Sequence, residues 1–384
     1  MERPLVEQVP ALTRDVTLHI ERRAALPGEV RVPVGARVEP ATVVLSAPSS
    51  VPRPVTVHVA RELGLSPGVV RRHLTRPLGS QVTAGEPIAS ARRGLRTAQV
   101  TAPITGQLAE VDEQLGTVTV TPAVASVEYA ALVHGDVIEA DEAQRVTIKA
   151  SGDRVAGAVL LGKEVNGPLR VLTDRPDREL PPDAIDERCR GAVVVAGMTV
   201  SSAALRRMAS LGVAGVIVGS LSATSIQAVL GISGSDAQAD LWAARLLHGS
   251  WSGGFTEAPV SVLVTEGFGR RPMARPLFDA LATREGHDAA LLFASSIRGE
   301  TRPACLITRA GATGGREPVA VPVRDGVRVR LTDPGRLGQV GVCRGDPVLD
   351  LRLDGVARWA VAVEFDDGAR RLVPLANLEV LVAP

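Results

Sequence analysis

The clearest periodicity in the chain runs from Arg190 to Ser222. GAVVVAG (191–197) is apolar without a break and bounded by glycines, which suits a strand buried on both faces. Thr199, Ser201 or Ser202 can cap a following helix through a side-chain oxygen. Ala204, Leu205, Met208 and Leu211 then recur at the spacing of one helical face, with Arg206 and Arg207 outside it. Gly212 ends that helix, and VAGVIVG (213–219) is a second buried strand. Such a strand–helix–strand unit should be parallel with a right-handed crossover. Further along, SATSIQAVLG (222–231) reads as a helix and VSVLVT (260–265) as a strand. Leu277, Phe278 and Leu281 mark another helix, and AALLFA (289–294) another strand. Together they predict a central α/β domain over 151–310 with a mostly parallel sheet.

Outside this region the period is two. AQVTAPITGQLAEV (98–111) and GTVTVTP (116–122) alternate as half-buried strands do. VEYAALVHGDVIEADEAQRVTIKAS (127–151) alternates again and turns at Gly135–Asp136, extending the same β module, with His134 as a structural side chain. The first third also repeats itself. When GARVEPATVVLSA (35–47) is set above GSQVTAGEPIASA (79–91), Gly35, Val38, Val44 and Ala47 match Gly79, Val82, Ile88 and Ala91 without a gap.

The pattern of Gly79, Val82, Gly85, Ile88 and Ala89, then Val100, Ala102, Pro103, Gly106 and Leu108, resembles the biotinyl/lipoyl-like barrel-sandwich hybrid. The resemblance covers about residues 28–122 and implies a compact β module within an N-terminal domain, 1–150. In carrier members of that family, a hairpin tip between the two half-motifs presents a lysine. Here the segment is ARRGLRTAQ, and the first lysine of the chain is Lys149. A guanidinium cannot form the amide that holds biotin or lipoate, so no attached cofactor is expected. What remains is a cationic tip: Arg92, Arg93 and Arg96 are the candidate docking residues for an anionic partner. Residues 51–100 hold eight arginines against Glu62 and Glu86, a net of +6. Such a run serves equally as a solvated face. Within it, VARELGLSPGVVRRHL (59–74) scans like a helix-turn-helix, but the prolines and alternation before it and the β pattern after it leave no supporting third helix. Two short connecting helices are expected there.

In the tail, DDG (366–368) between WAVAVEF and RRLVPL is a hairpin signal. The spacing of Gly335, Gly338 and Gly341 after VRVRL resembles a KOW motif, and residues 327–384 resemble the small SH3-like β-barrels that carry it. That resemblance implies RNA, polymerase or ribosomal-protein partners. Charge argues against RNA, since the segment holds eight arginines and eight acids, and phosphate binding needs clustered cations. Trp359 and Phe365 have the spacing of core residues rather than of a stacking platform. GATGGREP (311–318) begins a linker, 311–326.

The chain is thus expected to be a multidomain α/β protein: a barrel-sandwich hybrid, a central α/β domain and a terminal barrel. Composition narrows the function. A net charge of +1 gives no global field for nucleic acid or an anionic membrane. Cys189, Cys305 and Cys343 lie far apart, which suits reduced, buried thiols. The start, MERPLVEQVP, lacks the apolar run of a signal peptide, and a cytoplasmic location is expected. None of the six histidines falls at HxxxH or HExxH spacing, so no metal site is expected. One turn could hold a ligand: TEGFGRR (265–271) follows a strand and precedes a helix, where parallel sheets bind ligands. Thr265 and Glu266 offer oxygens, Gly267 and Gly269 permit close approach, and Arg270 offers charge. Three functions follow. The chain is a non-catalytic adapter with a protein partner, a ligand-binding protein or enzyme using 265–271, or an RNA-associated factor acting through the tail.

Overall fold

The computed structural model describes residues 7–8, 10–51, 53–93, 96–122, 124–141, 144–230, 258–300, 302–309, 311, 315–318, 320–332, 336, 338–350 and 358–382. The chain is mostly strand, in several sheets. One run of hydrogen-bonded strands passes from Val159–Leu161 through Ser261–Phe268, Gly215–Leu221, Val193–Val195 and Val165–Val171 to Asp288–Leu292. It continues through Ala304–Thr308, Arg145–Ala156 and Leu12–Arg23 into the tail strands Leu378–Val382, Arg328–Leu331, Val340–Asp350, Arg358–Phe365 and Arg370–Pro374. The strands Val165–Val171, Val193–Val195, Gly215–Leu221 and Ser261–Phe268 pair in parallel. Most other contacts along the run are antiparallel.

The apolar run at 193–196 is unbroken because both faces are covered. Val193 and Val195 enter one core with Leu277, Phe278 and Leu281 of the helix Arg275–Ala282. Val194 and Ala196 enter another with Ala204, Leu205, Met208 and Leu211 of the helix Ser202–Leu211. Ser201 Oγ accepts from Ala204 N to cap that helix, and Gly212 ends it in the left-handed region.

Three elements differ from the sequence expectation. The strand Arg145–Ala156 runs straight through position 150, because it pairs along its length with Leu12–Arg23 and on its other edge with Ala304–Thr308. The strand beginning at Ser261 continues to Phe268, so Thr265, Glu266 and Gly267 are strand residues rather than a turn. Within it, Thr265 and Glu266 together oppose the single Gly219 of the neighbouring strand, a bulge after which the pairing resumes at Ser220–Gly267. In the segment 311–326, Gly315 and Arg316 are docked rather than free: Thr17 N donates to Arg316 O at 2.8 Å, and Thr17 Oγ1 to Gly315 O at 2.9 Å.

The repeat of the first third folds as two units, one inside the other. Gly35 N donates to Val137 O and Gly79 N to Leu108 O, both at 2.8 Å. Ala131 N donates to Thr42 O and Ala102 N to Glu86 O, again both at 2.8 Å. Val38 pairs with Gly135 as Val82 pairs with Gly106. Both glycines press on a neighbouring carbonyl: a Cβ on Gly106 would lie 2.2 Å from Thr121 O, and one on Gly135 2.4 Å from Lys149 O. The outer unit joins residues before 49 to residues after 125, and its core takes in Val44, Leu45, Val133, Val137 and Ile148. The inner unit occupies its middle, between Pro48 and Ser126, which pair. The inner unit has its own core, from Val57 to Val120.

The other junctions are tied by ion pairs. Arg22 of the outer unit bonds Glu164, whose other oxygen accepts from Phe293 N at 3.0 Å. Arg154 reaches Glu300 at 2.5 Å and Pro10 O at 2.9 Å. Arg284 reaches Asp153 at 2.6 Å. By contrast, among the described residues no hydrogen bond or ion pair joins 53–122 to the rest of the chain. That unit stands on its two-stranded neck alone.

Candidate functional site

At the carboxyl ends of the parallel strands, the chain's own segments occupy the crevice. Gly219 lies under the backbone of 271–273, and a Cβ there would sit 2.5 Å from Met273 N and 2.6 Å from Arg271 O. The buried Ser220 Oγ accepts from Arg271 N at 2.7 Å and donates to Arg271 O at 3.1 Å, fixing that segment. Gly197 is likewise approached by the carbonyls of Arg175 and Arg178. A Gly219→Ala chain should therefore lose roughly 1–3 kcal/mol of stability, because both clashes are with backbone and no rotamer change relieves them. Urea unfolding measures this, and an unchanged midpoint would mean the crevice can open.

Of the residues selected from the sequence, Thr265 and Glu266 are fully buried. Thr265 Oγ1 donates to Val218 O at 3.3 Å. Glu266 Oε1 accepts from Ala274 N at 3.0 Å, at the start of the helix Arg275–Ala282. The same oxygen lies 2.9 Å from Arg330 Nη1, which also donates to Thr265 O at 2.8 Å. Glu266 Oε2 has no partner among the described residues. Gly267 and Gly269 have positive φ values of 103° and 105°, the conformation that favours glycine. Arg270 is exposed and pairs with Glu179 at 3.1 Å. Gly338 of the tail lies over Glu266 and Arg271.

Arg330 was not legible as a site residue. In VRVRL it alternates with Val329 and Leu331, both buried in the tail's core, and so reads as a solvent-facing side chain. In fact its face is the joint with the central sheet. Arg330 is among the largest fully buried side chains and bonds Glu379 at 2.5 Å as well as Glu266. Glu379 is also paired with Arg302. Two carboxylates and two guanidiniums thus balance in a water-poor seam. Desolvation raises the Glu379 carboxyl, but Arg330 and Arg302 outweigh it and hold it down at about 2. Desolvation also pulls the Arg330 guanidinium down, and the facing carboxylates more than offset it, holding it above its usual range. The Glu266 side chain is therefore engaged in fastening the tail to the sheet.

The thiols are also withdrawn from solvent. All three cysteines are buried, and burial pushes the Cys305 and Cys343 thiols up to about 12. His134 Nε2 lies 2.7 Å from Asp288 Oδ2, joining the outer unit to the central sheet. Among the described residues, no three His, Cys, Asp or Glu side chains gather as a metal site. No described helix is long and apolar enough to cross a membrane. Gly335 of the KOW-like spacing lies outside the described residues. Phe365 is in the tail's core, and Trp359 packs against it.

The second candidate surface is on the inner unit. Arg92 and Arg96 are exposed on the hairpin of strands Pro87–Arg93 and Arg96–Thr101; the side chain of Arg93 lies outside the described residues. The helix Val59–Leu63 packs on both of these strands. The 3-10 helix Pro67–His73 ends beside them, with His73 Nδ1 at 3.0 Å from Ser90 O. These helices add Arg61, Arg71 and Arg72, all exposed. Arg71 lies 4.0 Å from Glu113, and Arg76 pairs with Glu86 at 2.6 Å. Arg53, Arg61, Arg72, Arg92 and Arg96 form no side-chain hydrogen bond or ion pair with any described residue. No family model, no curated protein and no solved structure matches the chain.

Proposed function

We propose that the chain is a non-catalytic adapter, in which a rigid body presents the inner unit to a protein partner. In this reading both units of the first third are barrel-sandwich hybrids, the central region is an α/β domain and the tail is an SH3-like barrel. The repeated hydrogen bonds of the two units support the first assignment. The inner unit then stands where carrier relatives would present the hairpin of the outer unit. Its own hairpin offers arginine rather than an acylatable amine, which favours contact over carriage of biotin or lipoate.

The observation that carries the proposal is the contrast between junctions. The body's seams are held by buried ion pairs, which are costly to desolvate and costly to break. Among the described residues the inner unit has no such pair to the body, and it keeps Arg61, Arg72, Arg92 and Arg96 exposed and unpaired. The ligand-site reading is weaker, because its carboxylate, Glu266, is committed to Arg330. The RNA reading rests on the tail, whose arginines and acids balance in number.

A photo-crosslinking amino acid at exposed Thr97, and separately at exposed Glu285 on the body, tests the proposal in cells of the source organism. The expected result is one recurrent protein adduct from position 97 and none from 285. Adducts of equal yield from both positions would argue that the inner unit is not the presenting element.

A further inference from the structure

We infer that the inner unit docks an acidic polypeptide segment carrying an apolar side chain, which it receives on Arg61, Arg72, Arg92 and Arg96 around Leu115. The inference rests on the adapter reading and names the partner chemistry of the same unit.

Leu115 is the most exposed large apolar residue described, at 69%. It sits in the turn between strands Gly106–Asp112 and Thr117–Pro122. That turn is ordered: Asp112 Oδ1 accepts from Gln114 N at 2.8 Å and from Leu115 N at 2.9 Å. An apolar side chain presented on an ordered backbone spares binding the cost of ordering the loop, which is the economy of a preformed anchor. The turn lies against the two arginine-bearing helices. Gly116 O accepts from Ala60 N at 2.9 Å, placing Leu115 beside the helix that carries Arg61. Glu113, two residues before Leu115, lies 4.0 Å from Arg71. The same helix packs on the hairpin of Arg92 and Arg96, so anchor and cations share one connected region.

The cations are all arginine, and residues 51–122 contain no lysine. Arginine binds carboxylates in a bidentate fork and is favoured at protein contacts where lysine is depleted. Two features oppose a nucleic-acid partner. Residues 51–122 contain no Phe, Tyr or Trp, so bases would find no stacking platform. Glu110, Asp112 and Glu113 cluster at the turn itself, which repels a continuous phosphate track but is tolerated by a short segment with spaced acids.

The test uses the full-length protein and three fluorescent probes: a glutamate-rich peptide containing one leucine, the same peptide with serine for leucine, and a mixed-sequence single-stranded oligonucleotide. Anisotropy at low and moderate salt should rank the leucine peptide first, with affinity falling as salt rises. R92E/R96E should weaken it roughly tenfold or more. L115S should reduce binding of the leucine peptide to the level of the serine peptide and leave the latter unchanged. All these positions are exposed, and circular dichroism confirms folding of each variant. Oligonucleotide binding as tight as that of the leucine peptide overturns the inference, as does peptide binding indifferent to both variants. If no peptide binds while position 97 still yields its protein adduct, the partner chemistry is wrong and the adapter reading stands. If both fail, the adapter reading falls too.

Discussion

An Arg330→Met chain is expected to lose about 3–5 kcal/mol of stability, the usual cost of removing one partner from a buried ion pair. The size of the loss follows from what is left behind. Glu266 stays fully buried with no cation beside it, and Glu379 keeps only Arg302. The acid limb should move as well. With both guanidiniums, Glu379 has a folded pKa of about 2 against an ordinary 4.5. Because that value is depressed, its contribution is complete above about pH 4.5 and is lost as pH falls towards 2. Removing Arg330 raises the folded pKa, so the variant should begin to fail at a higher pH than the parent. Glu266→Gln keeps the acceptor for Ala274 N and removes only charge, so it should cost less. Chemical denaturation of the three chains across pH measures all of this. Were Glu266 a general acid or base for an undiscovered reaction, Glu266→Gln would abolish turnover at little cost in stability. In the arrangement seen, its effect should be on stability. An Arg330→Met chain within about 1 kcal/mol of the parent would mean that the tail is not held by this cluster.

What the sequence made legible is what depends on near neighbours. The strand at 193–195 and the helix Ser202–Leu211 follow from an apolar run, a serine cap and a terminal glycine within a few residues of one another. The first half of the repeat was legible because Gly35 to Ala47 and Gly79 to Ala91 align without a gap. The second half, Ala102-Gly106-Leu108 against Ala131-Gly135-Val137, was not, because the offset between copies changes where one is inserted in the other. Only the paired hydrogen bonds of Gly35 and Gly79 expose it. Arg330 was illegible for a related reason. Its acceptors lie 65 and 49 residues away, and an arginine alternating with valines looks the same in sequence whether water or a second domain covers it. The length of the strand at Thr265–Phe268 depended on a bulge at Thr265 and Glu266 that lets it stay paired with the neighbouring strand, and no local pattern carries that register.

Ile88→Ala should unfold the inner unit and leave the body standing. Ile88 is fully buried in the core that runs from Val57 to Val120, and truncating an isoleucine at such a site costs about 2–5 kcal/mol. The unit is small, its core is aliphatic, and no described hydrogen bond or ion pair to the body supplies further stability, so a loss of this size is a large share of what it has. Calorimetry of the parent should resolve two transitions, and Ile88→Ala should lower only one. Ile148→Ala, in the core of the outer unit, should lower the other. Hydrogen exchange locates the effect: amides of 106–112 and 117–122 should lose protection in the Ile88 variant while those of 145–156 keep theirs. The same variant should lose the leucine-peptide affinity, because Arg61, Arg92 and Leu115 are brought together only by the folded unit. A single transition lowered equally by both substitutions would show that the neck transmits folding between the units, and the inner unit would then be part of the body rather than an element mounted on it.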